Sequence, residues 1–164
     1  MGKSTENLME AFAGESQANR KYLAFALQAE KEGYPQVAKL FRAVAEAETV
    51  HALSHFRVAG GIGSTRENLE KAISGETYEF TSMYPKMIEE AKSEGNSKAE
   101  RTLTYANEVE KVHASLFKKV LEGLDKLEET DYFVCQVCGY TCEGEAPERC
   151  PICGGLKKVF KKVD

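Results

Sequence analysis

The stretch Glu48-Thr49-Val50-His51 decides how this chain is read. It interrupts the stripe Val37, Phe41, Val44, Glu48, His51, His55, Val58, whose steps of three and four keep to one face of a helix. A Glu and a His three positions apart stand one turn apart on that face. Burying an ionised carboxylate there without a partner costs several kcal/mol. Glu110-Lys111-Val112-His113 repeats the arrangement 62 positions later, inside the stripe Leu103, Ala106, Glu110, His113, Phe117, Val120, Leu124. Two such penalties at matching places point to one shared partner, a metal cluster between helices.

The flanking helices carry the same signal. Before Glu48, the stripe Leu8, Phe12, Glu15, Asn19, Tyr22, Ala26, Ala29 puts Glu15 at the centre of an inward face. Ser4 or Thr5 is the expected cap, and Gly33 with Pro35 separates this helix from the next. Gly60-Gly61-Ile62-Gly63-Ser64 is the expected crossover; no Lys-Ser/Thr signature follows, so it is not a phosphate loop. A third pattern starts at Thr65 or Arg66 and reads Leu69, Ala72, Glu76, Glu79, Met83, with Pro85 placed to kink it and Gly95-Asn96 to close it. Gly14-Glu15 matches Gly75-Glu76 at an offset of 61, so the first helix pair reads as a copy of the second. Glu79 breaks the copy, because Ala18 is its counterpart. Residues 1–130 are therefore expected to form four long antiparallel helices, and residues 131–164 a small metal-stapled domain.

Seven groups face inward on this reading: Glu15, Glu48, His51, Glu76, Glu79, Glu110 and His113. Oxygen and imidazole donors suit iron or manganese better than a thiolate-seeking ion. Two divalent or two trivalent ions nearly cancel the five carboxylates, whereas one divalent ion leaves most of their charge standing, so the centre is expected to be dinuclear. Tyr22 and Tyr84 lie close to this set along the chain, placed either to hydrogen-bond a ligand or simply to pack. His55, a lone His on the same face, is left outside the ligand set.

All five cysteines follow residue 134. Cys135-x-x-Cys138-Gly139 and Cys150-Pro151-x-Cys153-Gly154 form two knuckles that place four sulfurs around one ion, zinc or iron. Cys142 falls outside the spacing and reads as a spare thiol. The chain has 164 residues and a net charge of -4, with no basic stripe for nucleic acid and no apolar run near the ~20 residues that span a bilayer. Met1 to Met9 lacks the apolar core of a signal peptide. A cytoplasmic location is expected, with the cysteines as ligands or free thiols.

Gly14-Glu15-Ser16-Gln17-Ala18, Glu48-x-x-His51, Gly75-Glu76-x-Tyr78-Glu79, Met83-Tyr84-Pro85, Glu110-x-x-His113 and the two knuckles together resemble the rubrerythrin family over essentially the whole length. The resemblance implies a mainly α fold: a ferritin-like four-helix bundle followed by a rubredoxin-like β domain. It implies two non-haem irons bridged by Glu48 and Glu110, with Glu15 and Glu79 serving one and Glu76 and His113 the other. His51 would replace Glu79 on reduction. Iron is the implied occupant of the four-cysteine site, with zinc as a possible substitute. The implied activity is reduction of hydrogen peroxide to water in protection against oxidative stress, with Glu79, His51, Tyr22 and Tyr84 at the reacting end. The electron donor would be rubredoxin or an NAD(P)H-dependent rubredoxin reductase, since the chain has no dinucleotide fingerprint. The implied assembly is a homodimer. Ferroxidase or iron storage on the same fold, and a non-catalytic zinc-ribbon protein, are the competing readings.

Overall fold

The computed structural model describes residues 2–163. They divide into two compact units that meet in sequence at Gly63 and Ser64. The first unit is a helical hairpin, α1 (Lys3–Lys31) and α2 (Pro35–Val58). The turn between them is tight because Gly33 takes φ 81°, a conformation open to a residue without Cβ, and Pro35 then opens α2. Small residues line the contact: Ala26, Ala29, Ala38, Ala45 and Ala52 are buried, with Phe41 packed against the cluster. The helix starts one turn earlier than the polar cap residues suggest. Gly2 is the N-cap, its carbonyl accepting from Thr5 and Glu6, so Ser4 and Thr5 lie inside α1.

The second unit begins with α3 (Thr65–Tyr78). Ser64 caps it in a reciprocal box with Glu67, whose carboxylate is held below its ordinary range by the Ser64 backbone and hydroxyl donors. A π-helical segment, Glu79–Met83, follows, and then α4 (Tyr84–Ser93) with Pro85 in its first turn. The expected kink at Pro85 is thus a five-residue change of helical winding just before it. Asn96 caps α5 (Ser97–Glu122), which packs along α3 and α4.

The rest of the second unit is a three-stranded antiparallel sheet in the order β2-β1-β3, made of β1 (Tyr132–Cys135), β2 (Thr141–Glu143) and β3 (Phe160–Val163). Gly139 and Gly154 sit at φ 85° and 75°, each returning its N–H to the first cysteine of its own knuckle at 2.9 Å. β2 contacts α5, where Lys119 pairs with Glu143.

Ala38 is fully buried between its two helices. Ala38→Leu should overpack that contact and destabilise the chain by about 1–3 kcal/mol, read from the shift in urea midpoint at constant slope.

Candidate metal centres

Each helix pair builds the same triad. On α2, Glu48 Oε2 lies 2.8 Å from His51 Nδ1, and Glu15 of α1 approaches that nitrogen to 3.9 Å. On α5, Glu110 Oε2 lies 2.6 Å from His113 Nδ1, and Glu76 of α3 approaches to 3.9 Å. In each triad the donor atoms lie within 4.8 Å of one another. The near-identity of the two sets of distances is the structural form of the 62-residue repeat. Glu48 and Glu110 are the most enclosed carboxylates of their triads, with side chains 14% exposed.

The electrostatics of the second triad call for a cation. Burial, then the hydrogen bond and negative charge of Glu110, raise Glu76 from 4.5 to about 7, against a smaller opposing pull from His113. Burial and the Glu110 charge also raise Glu79. Carboxylates that repel one another this strongly either retain a proton or hold a metal. The donor set suits iron or manganese.

The π segment places a further residue. Tyr84 follows Glu79 by five positions and would leave its face in an α-helix of 3.6 residues per turn. Here the Tyr84 N–H donates to the Glu79 carbonyl, an i→i+5 bond that brings the two residues round to one side. Burial raises the Tyr84 phenol above its ordinary range, and the charges of Glu110, Glu79 and Glu76 raise it further. Tyr84 therefore stands beside the carboxylates. Tyr22 packs with Phe25 and Phe41, ring centroids 6.3 and 6.1 Å away, and belongs to neither triad among the described residues.

In the β domain the sulfurs of Cys135, Cys138, Cys150 and Cys153 converge. Cys135 and Cys153 are 3.6 Å apart, Cys138 and Cys150 3.5 Å. The edge of a tetrahedron around an ion with ~2.3 Å sulfur bonds is about 3.8 Å, so the cluster fits a tetrathiolate site. Burial pushes the Cys138 and Cys153 thiols up. At Cys135 the N–H groups of Val137 and Cys138 outweigh it, and that thiol is lowered. Cys142 is outside the cluster, its thiol donating to the Phe133 and Glu145 carbonyls.

The rubrerythrin family model matches residues 6–121, and the rubredoxin-like domain of rubrerythrin matches residues 133–161. The chain belongs to the rubrerythrin family. It is 39% identical to Rubrerythrin-2 of Clostridium acetobutylicum, with 94% of this chain and 93% of the relative covered. It is 37% identical to nigerythrin of Nitratidesulfovibrio vulgaris, over 98% and 86% of the two chains. A solved structure of nigerythrin in a partially reduced state matches with a TM-score of 0.61 at 36% identity, covering 99% of this chain and 88% of that one. The helices bring carboxylates and imidazoles together into two groups that could hold metal, and the rubredoxin-like domain brings together four cysteines.

One contact has no counterpart in the sequence reading. His113 Nε2 lies 3.1 Å from the Thr141 hydroxyl and 3.3 Å from the Gly139 carbonyl, at the edge of the second knuckle residue. No spacing or periodicity relates Thr141 to His113.

Without metal, the raised Glu76 sets a pH dependence. Its folded state binds the proton more tightly than the unfolded chain, so the stability linked to it is complete below about 4.5 and is lost as pH rises to about 7. Chelator-stripped protein should show a urea midpoint that falls across this window, and Glu76→Gln should flatten the fall. Loading metal should reverse its direction, because the ion binds the ionised carboxylates.

Proposed function

We propose that this rubrerythrin-family chain is a non-haem di-iron peroxidase that reduces hydrogen peroxide to water. The observation that carries the reading is the recurrence of one Glu-Glu-His triad on both helix pairs of a chain that also holds a tetrathiolate site. The family relationship supports an oxidoreductase of this type.

Glu15, Glu48, His51, Glu76, Glu79, Glu110 and His113 are the residues proposed to hold the two irons. Bound there, the iron pair would supply the two electrons that cleave the oxygen–oxygen bond. Glu79, raised in the apo chain by burial and by Glu110, is suited to hold a proton or to act as the exchangeable carboxylate. His51 is proposed as its alternate; its side chain is 55% exposed, which leaves the ring room to turn. Tyr84, kept protonated beside three carboxylates, is suited to donate a hydrogen bond or a proton to a peroxide oxygen. Tyr22 is proposed only as a packing neighbour of the site.

Iron is the proposed occupant of the four cysteines, since a one-electron site gives the domain a role beside a redox-active centre. Rubredoxin or an NAD(P)H-dependent rubredoxin reductase is the proposed donor. A homodimer is the proposed assembly: Leu27, Leu40, Val50 and Val58 are each more than half exposed in the single chain. No helix is long and apolar enough to cross a membrane among the described residues. A cytoplasmic location is proposed, a compartment that keeps thiols available as metal ligands.

The test is kinetic. Fully reduced protein, purified without air, should be reoxidised by peroxide far faster than by dioxygen, and on oxidation a ferric tetrathiolate should colour it where zinc would not. Glu79→Ala should lower peroxide turnover by roughly 10²-fold while sparing the tetrathiolate spectrum. Equal rates with both oxidants, or accumulation of many irons per chain, would favour the ferroxidase or storage reading instead.

A further inference from the structure

The contact between His113 and the four-cysteine domain has a chemical direction. A carbonyl oxygen only accepts, so the Nε2 of His113, 3.3 Å from the Gly139 oxygen, bonds to it only as N–H. The Thr141 hydroxyl donates its own proton to that same carbonyl at 3.1 Å. Its lone pairs are left for the ring, and they too require Nε2 to be the donor, at 3.1 Å. A neutral ring with its proton on Nε2 presents a bare lone pair at Nδ1. That lone pair faces a Glu110 oxygen at 2.6 Å, where a shared proton completes the hydrogen bond until an ion takes its place, and a Glu76 oxygen at 3.9 Å. Three acceptors aimed at one point form a set that a cation satisfies.

His51 lacks this support. The contacts described for it all fall on Nδ1, and its side chain is 55% exposed against 25% for His113. The two triads are alike in their carboxylates and differ in what holds the imidazole from behind.

We propose that Thr141 is a positioning residue for the helix metal site. Its hydroxyl, together with the Gly139 carbonyl, locks His113 in the Nε2–H tautomer and aims Nδ1 at the ion. Gly139 immediately follows the ligand Cys138, and its N–H closes the first knuckle onto the Cys135 carbonyl. Folding of the four-cysteine domain around its own ion therefore prepares a ligand of the other centre. This rests on the dinuclear reading above and adds a dependence of one metal site on the other. Outer partners of ligating histidines typically change metal affinity by ~10–100-fold when removed.

The intact chain loaded with one zinc at the cysteines can be titrated with Mn²⁺, an ion suited to carboxylate and imidazole donors, and free Mn²⁺ followed by electron paramagnetic resonance. Thr141→Val, which retains the β-branched shape that suits β2, should weaken binding by roughly 10–100-fold. Thr141→Ser, which returns the hydroxyl, should restore it to within a few-fold. Nitrogen-15 spectra of the wild-type imidazoles before Mn²⁺ is added should show His113 protonated at Nε2, and Thr141→Val should lose that preference.

Equal affinity in wild type and Thr141→Val, loss that serine does not repair, or an Nδ1–H tautomer in the wild type would each overturn the proposal. Should the valine variant fail to retain zinc, the wild-type tautomer alone decides. A wild-type chain that binds no Mn²⁺ while showing the Nε2–H tautomer would count against the dinuclear reading and not against the role of Thr141 in holding the ring.

Discussion

The structure depends on carboxylates being brought close together inside helix pairs. Glu76 and Glu110 hydrogen-bond each other, and Glu79 lies within their field. Three ionised groups so placed repel, and the repulsion grows as water is excluded. Large apolar side chains add little to the interior: the hairpin of the first unit buries mainly alanines, and the largest fully buried side chains among the described residues are Val109 and Cys135. A cation held by a triad would offset carboxylate repulsion and link the two helices that supply its ligands. Metal binding here is thus a term in folding as well as in chemistry.

What the sequence made legible was whatever a single helix or a single knuckle carries. Glu48 with His51, and Glu110 with His113, each lie on one helix, so the 3.6-residue period is enough to pair them. The CxxC spacings are equally local, and Gly139 and Gly154 mark their turns. Glu15 and Glu76 required one further step, the match between halves of the repeat. The failures share a cause. Ser4 and Thr5 are good capping residues, but Gly2 leaves the backbone free to begin the helix earlier. The strand Thr141–Glu143 is too short to alternate, and its existence follows from pairing with β1. Thr141 meets His113 across 28 positions, and nothing periodic spans that interval.

The π segment shows how a local irregularity does what spacing alone cannot. Read as an uninterrupted helix, the stretch from Glu76 to Tyr84 keeps Glu76 and Glu79 together and turns Tyr84 aside. The i→i+5 bond from Tyr84 to Glu79 adds a residue to the turn and returns the phenol to the carboxylates. Pro85 fits this break, since it lacks the N–H that a continuing helix would use and stands in the first turn of α4. The first helix pair has Ala18 where the second has Glu79, and α1 runs unbroken through the matching region. Extra carboxylate and extra residue in the turn therefore occur together, on the same half.

That pairing bears on how a repeated sequence comes to hold two unequal sites. Duplication alone yields two triads with the same distances, and the structure shows them so. Glu79 and the π segment make one inequality within the repeat, and a second enters from outside it. The segment after α5 carries a sheet whose second strand returns to α5, and its knuckle loop takes hold of the back of His113. Among the described residues the contacts of His51 fall on Nδ1. An imidazole bonded at both nitrogens has its orientation fixed from two sides, and one bonded at a single nitrogen from one. The four-cysteine domain thereby distinguishes the two histidines by contact, apart from any electron it delivers.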